Sequence, residues 1–285
     1  MTPSDAAPMT SSPPDPVTLI LPVRNAAAQL AAVLNEWSRF LQTELGRGYD
    51  IILVDDGSTD KTPELLDNFR STIPHLRLLK HPQSLGFGAS LRTALAEPTH
   101  PIVCYSSLDY PYTPADLLKL LGQLGKVAPV FDVPHAIEAV SGCRTGRPVP
   151  PFWKIVGGLY RIFARIALGI SPPRLPGWLG FRDHFRSWWL WLAMGVPLAD
   201  VNSAFKVFRR SLFDRFPIQS DSDFVHAEIF AKLTFLSVLV AEEPLSPKSE
   251  ATPKTWWSDF WAVLKDAKFH TPLPDLTQPT VSPTP

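Results

Sequence analysis

No apolar run in the chain is long enough to cross a bilayer. The longest, Trp188 to Ala199 and Leu233 to Ala241, fall well short of the ~20 residues a spanning helix needs. Met1 to Pro16 does not read as a secretory signal, because it carries Pro, Ser and Asp instead of a basic stretch followed by an apolar one. Secretion is therefore not expected. Cysteine is scarce: Cys104 and Cys143 lie in apolar segments without metal-ligand spacing, which reads as two buried free thiols in a reducing compartment. Net charge is absent as well. Lys plus Arg and Asp plus Glu each total 27, so no whole-chain attraction to nucleic acid or to an anionic membrane follows, and no nucleic-acid partner is expected. No repeat of solenoid length is present.

What is there is enough for one sizeable core: 285 residues, 45% hydrophobic and 19% charged. The first half alternates apolar runs with helix-period segments. Val17 to Val23 reads as a strand, Leu30 to Leu41 as a helix, and Tyr49 to Val54 as a second strand. Thr62 and Pro63 read as the N-cap and first turn of the next helix. Leu76 to Leu79, Pro101 to Tyr105 and Ile137 to Cys143 follow as strands, with helices from about Phe87 and after Thr113-Pro114. This alternation predicts an α/β fold with a mainly parallel sheet, flanked by helices on both faces in the Rossmann manner. Residues 1–16 are expected to be a disordered tail and 17–245 the folded domain, with 246–285 holding a helix at Trp256 to Phe269 and a second tail.

The second half carries most of the nine tryptophans. Phe152 to Ile170 places apolar residues on one broad helical face, with Lys154, Arg161 and Arg165 off its centre. From Arg144 to Arg210 there are eleven basic residues against Asp183 and Asp200. A core helix with a solvated basic rim fits this pattern. So does an amphipathic segment, 151–195, lying on a membrane surface with its cations at the headgroups.

The strongest local signal is Ile51 to Asp60 (IILVDDGSTD), an apolar strand ending in two acids and a turn. In open α/β sheets ligands sit beyond the carboxyl ends of the strands, so the pair is placed to meet one. A carboxylate there can accept from a nucleobase imide or a ribose hydroxyl, while capping of the turn and helix suits Asp60 and Asp55. Further motifs surround it: Leu21 to Asn25 (LPVRN), Leu85 to Ser90 (LGFGAS), Asp200 to Arg210 (DVNSAFKVFRR) and Phe224 to Glu228 (FVHAE). Together, in this order over about residues 17–245, they resemble the family 2 glycosyltransferases, in particular those that load a sugar onto polyprenyl or dolichyl phosphate. The interval Ser171 to Phe185 resembles an insertion relative to shorter members.

The resemblance implies a GT-A fold and an enzyme binding a nucleotide-diphosphate sugar, with polyprenyl phosphate as the acceptor and a peripheral place on the cytoplasmic face of a membrane. It implies that Asp56 reads the base, that Pro22 and Arg24 line the nucleotide pocket, and that Gly86 helps shape the donor cleft. It also implies a phosphate contact from Arg144. A phosphate acceptor needs positive charge nearby, which the Lys206, Arg209 and Arg210 cluster suits, and Asp200, at the start of the same motif, is a further substrate-binding candidate. A divalent ion, Mg or Mn, is normally held by an Asp-x-Asp pair after a strand. Here that place reads Ser107-Leu108-Asp109, so Asp109 alone would hold the metal and binding should be weak. Asp109, Asp223 and Glu228 are the catalytic candidates, with Asp223 the base if a sugar hydroxyl attacks. His226 is expected on a helix surface. Two alternatives stay open: a non-catalytic GT-A-fold binding or scaffold protein, which Ser107 favours, and a soluble glycosyltransferase with a sugar hydroxyl acceptor.

Overall fold

The computed structural model describes residues 15–108, 112–130, 133–144, 198, 200, 201 and 203–246. Val17–Val23 (β1), Tyr49–Asp56 (β2), Leu76–His81 (β3) and Ile102–Tyr105 (β4) are parallel strands in the order β3-β2-β1-β4. Three helices connect them: Ala27–Leu45 (α1), Thr62–Thr72 (α2) and Phe87–Ala96 (α3). After Asp116–Gln123 (α4) come Val127–Val130 (β5) and Val133–Arg144 (β6). Lys206–Arg209 (β7) then joins the sheet antiparallel to both β4 and β6. Val225–Phe235 (α5) precedes Leu239–Leu245 (β8), which pairs parallel to β6.

The strand sequences explain why helices cover both faces. Along β1 and β2, Leu19, Leu21, Ile51 and Leu53 enter one core with residues of α1, α2 and α4, while Ile20, Ile52 and Val54 enter the other with residues of α3 and α5. Alternate residues point to opposite faces, so an unbroken apolar run is buried twice. Each such side chain, fully buried, is worth roughly 1.5–3 kcal/mol. The α/β, mainly parallel sheet read from the sequence is therefore present. Cys104 and Cys143 are both buried and neither forms a disulfide, and burial pushes the Cys104 thiol up.

The capping expectation at α2 needs correction. Thr62 is already helical, and Asp60 supplies the cap by accepting from the Thr62 amide (2.9 Å). Thr62 Oγ1 instead accepts from the Ala26 amide (2.8 Å), and Asp60 Oδ2 from the Ala27 amide (3.2 Å). Helix α1 lacks a side-chain cap of its own at Ala26, so its first amides are satisfied by the neighbouring turn. Asn25, at φ 48°, completes the lacing by accepting from the Thr59 amide (2.8 Å).

Candidate functional site

The order of the parallel strands reverses between β1 and β4, which opens a crevice beyond their carboxyl ends. Around that edge lie Pro22 and Arg24 after β1, Asp55 and Asp56 at the end of β2, His81 at the end of β3, and Ser106 and Ser107 after β4. Arg24 is exposed and Pro22 half-buried, an arrangement open to a ligand. Asp55 is buried and accepts from the Ser58 amide (3.1 Å), the turn-capping role its position suggested.

Asp56 is buried and densely bonded. Its Oδ1 accepts from the Leu85 amide (2.8 Å) and faces His81 Nδ1 (2.8 Å), while Oδ2 accepts from Ser84 Oγ (2.8 Å) and the Gly86 amide (3.0 Å). Four donors fill the four lone-pair directions of a carboxylate. A base reaching Asp56 would therefore share a carboxylate that already builds the turn. Burial pushes the Asp56 carboxyl up, but hydrogen bonds from His81, Leu85, Ser84 and Gly86 outweigh it and hold the pKa below its ordinary value. Gly86, at φ 102°, lets its amide reach Asp56 while the chain passes the Asp221 carbonyl; a Cβ there would lie 2.3 Å from that oxygen.

The basic group read from DVNSAFKVFRR is split by strand geometry. Lys206 pairs with Tyr105 at the crevice edge, but its side chain is fully buried. Its Nζ donates to the carbonyls of Val201 (3.0 Å) and Ser203 and lies over the rings of Tyr105 and Phe230. Arg209 pairs with Ile102, at the amino end of β4, and its guanidinium donates to Asp15 (2.6 Å). Arg210 follows it, donating to Asp214 (2.8 Å) and Leu95 O (3.3 Å). Both arginines lie at the end of the sheet opposite the carboxyl ends of the parallel strands. Three residue steps along antiparallel strand separate Arg209 from Lys206, about 10 Å.

Asp200 is buried, and its amide donates to Glu242 (3.1 Å). Glu228 is buried too, accepting from the amides of Gln219 (2.8 Å) and Ser220 (2.8 Å) and pairing with Lys232. Its two oxygens thus face backbone amides and an ammonium. His226 is not on the surface: it is buried, stacked on Tyr105, with Nδ1 3.1 Å from the Tyr105 hydroxyl. Asp223 is half-buried at the start of α5, its carbonyl accepting from the His226 amide (3.3 Å). Arg144 ends β6 on the crevice side, paired in register with Leu245, although its side chain lies outside the described residues. Asp109 and the segment 151–195 lie outside them as well. Sequence reading missed His81, Ser84 and Lys232. His81 had one usable signal, being the register partner of Asp56 across two parallel strands.

No helix among the described residues is long and apolar enough to cross a membrane. A dolichyl-phosphate beta-glucosyltransferase of Trichomonas vaginalis is 30% identical over 79 residues, 26% of this chain and 23% of that one. An undecaprenyl-phosphate 4-deoxy-4-formamido-L-arabinose transferase of Pseudomonas aeruginosa is 43% identical over 58 residues, 20% of this chain and 17% of that one. The chain thus spans about a quarter or less of the length of these relatives. Among solved structures, glucosyl-3-phosphoglycerate synthase from Mycobacterium tuberculosis, in complex with Mn2+, UDP and phosphoglyceric acid, is similar with a TM-score of 0.58 and 18% identity. The match covers 88% of this chain and 75% of that one. The likeness supports a GT-A fold. The profile for "Glycosyl transferase family 2" matches residues 18–184, more than half of the chain, and the protein belongs to that family.

Proposed function

We propose that the protein transfers a sugar from a nucleotide-diphosphate sugar to a polyprenyl phosphate in a single inverting displacement. The observation that carries this reading is the crevice between β1 and β4, where the exposed Arg24 and the turn built on Asp56 stand at the carboxyl ends of parallel strands. The activities in the names of the Trichomonas and Pseudomonas relatives support the acceptor class.

In the proposed reaction a phosphate oxygen of the acceptor attacks the anomeric carbon. The bond from that carbon to the diphosphate breaks, and its electron pair leaves with the nucleoside diphosphate. An anionic nucleophile needs no general base, so the burial of Glu228 is no obstacle. Arg24 offsets charge at the nucleotide, and Asp223 is needed as a base only for a hydroxyl acceptor. A divalent ion, when bound, would offset charge on the departing diphosphate. The described turn after β4 offers Ser106 and Ser107 hydroxyls, and no group of three or more His, Cys, Asp or Glu able to hold a metal occurs among the described residues. The described residues do not by themselves fit a hard cation. We assign weak Mg or Mn binding to Asp109 together with the donor's own oxygens, and Arg144 to the acceptor phosphate. The same reading places the protein peripherally on the cytoplasmic face of a membrane through 151–195.

The test is titration calorimetry with UDP and GDP, paired with hydrogen exchange. Nucleotide should bind and slow exchange in residues 22–26 and 84–88. Absence of binding to either nucleotide, with and without manganese, would refute a donor site here. Binding without any transfer would favour the non-catalytic reading that Ser107 suggests.

A further inference from the structure

Two buried groups in α5 have no part in the proposed chemistry. Glu228 and Lys232 form an ion pair at helical spacing, with side chains 3% and 7% exposed. Burying an ion pair costs desolvation, which the remaining hydrogen bonds must offset. Those bonds all go to one segment. Glu228 holds the amides of Gln219 and Ser220 (2.8 Å each), and Lys232 Nζ donates to the Pro217 carbonyl (2.7 Å) and to Gln219 Oε1 (3.3 Å).

The strap 217–221 then crosses the start of α3. The Asp221 carbonyl accepts from the amides of Gly88 (2.9 Å) and Ala89 (3.3 Å), satisfying donors that a helix start leaves free. Arg92, on α3, reaches back to the Ile218 carbonyl (3.3 Å) and pairs with Asp221. The approach is close enough that a Cβ on Gly88 would lie 2.1 Å from the Ser220 carbonyl oxygen. Opposite the strap, Asp56 holds Leu85 and Gly86. The turn at 85–88 is therefore clamped from β2 and from α5 at once.

We infer that Glu228 and Lys232 are positioning residues, which fix the donor-side turn Gly86–Gly88 by holding the 217–221 strap against the start of α3. This rests on the proposed donor site only in what the turn is for; the mechanical link stands on the contacts themselves. Loosening the clasp should free the turn without removing any group that touches the donor.

The experiment is hydrogen exchange on the full chain, comparing the native protein with Glu228→Gln, followed by nucleotide titration and donor kinetics. Exchange at 86–90 should accelerate at least about tenfold, since local opening sets it. The donor KM should rise more than kcat falls. Acceleration confined to 225–235, with 86–90 unchanged, would overturn the proposal. If Glu228→Gln loses protection everywhere, Arg92→Leu decides, because that side chain is 45% exposed and among the described residues bonds to Ile218 and Asp221 of the strap. It should loosen 86–90 alone, and unchanged exchange there would overturn the link. A native protein that binds no nucleotide would refute the donor reading, while the exchange data would still judge the clasp.

Discussion

Asp56 and His81 end adjacent parallel strands in register, and the imidazole Nδ1 stands 2.8 Å from the carboxylate Oδ1. A carboxylate accepts only, so Nδ1 carries the hydrogen, and Nε2 meets Thr93 Oγ1 at 3.0 Å on α3. Two strand ends and the helix after them are thereby tied into one unit at the mouth of the crevice.

Asp56→Asn should destabilise the protein in the absence of any nucleotide. The amide puts two hydrogens among donors that need acceptors, an arrangement that costs about 1–3 kcal/mol when buried. Thermal or urea unfolding of the free protein measures it. A carboxylate kept for a nucleobase would instead leave the free protein as stable as before.

Acid should act on the same group. Hydrogen bonds hold the folded-state pKa of Asp56 below the ordinary aspartate value, so its contribution to stability is complete above about pH 4. That contribution is lost as pH falls from there through the lowered folded pKa. The Asp56→Asn variant should show a shallower loss of stability over this acid window than the native protein, as read from urea midpoints at successive pH values.

The alternation of strands and helices was legible because parallel strands buried on both faces read as continuous apolar runs. Strand β7 was not, since its four residues lie inside a motif whose charges suggest a surface. Lys206 shows why. Its ammonium replaces water by two backbone carbonyls and two rings, and nothing in residue type distinguishes that from a solvated lysine. Glu228 is the same case, because a carboxylate four residues before a lysine is ordinary on exposed helices. The separation of Arg209 from Lys206 was not legible for another reason: neighbours in sequence on a strand are carried along the sheet, away from its ligand-facing edge.

Arg209→Gln should leave nucleotide affinity and donor kinetics unchanged, because its guanidinium sits with Asp15 at the amino end of β4. Calorimetry and steady-state rates check it, with Arg24→Gln as the contrast that should weaken nucleotide binding.

Ser107→Asp should tighten manganese binding in the presence of nucleotide, by adding a carboxylate where the described turn offers a hydroxyl. Manganese titration followed by electron paramagnetic resonance reads the free ion directly, and an unchanged free-ion signal would mean that residue 107 does not face the metal.

The most direct measurement is sugar transfer by the purified protein, using UDP- and GDP-sugars with polyprenyl phosphate, with and without manganese. The account predicts that at least one donor yields a lipid-linked sugar of inverted anomeric configuration, and that Arg24→Gln slows its formation. No lipid-linked product from any donor under either metal condition, in a protein that binds nucleotide, would contradict it.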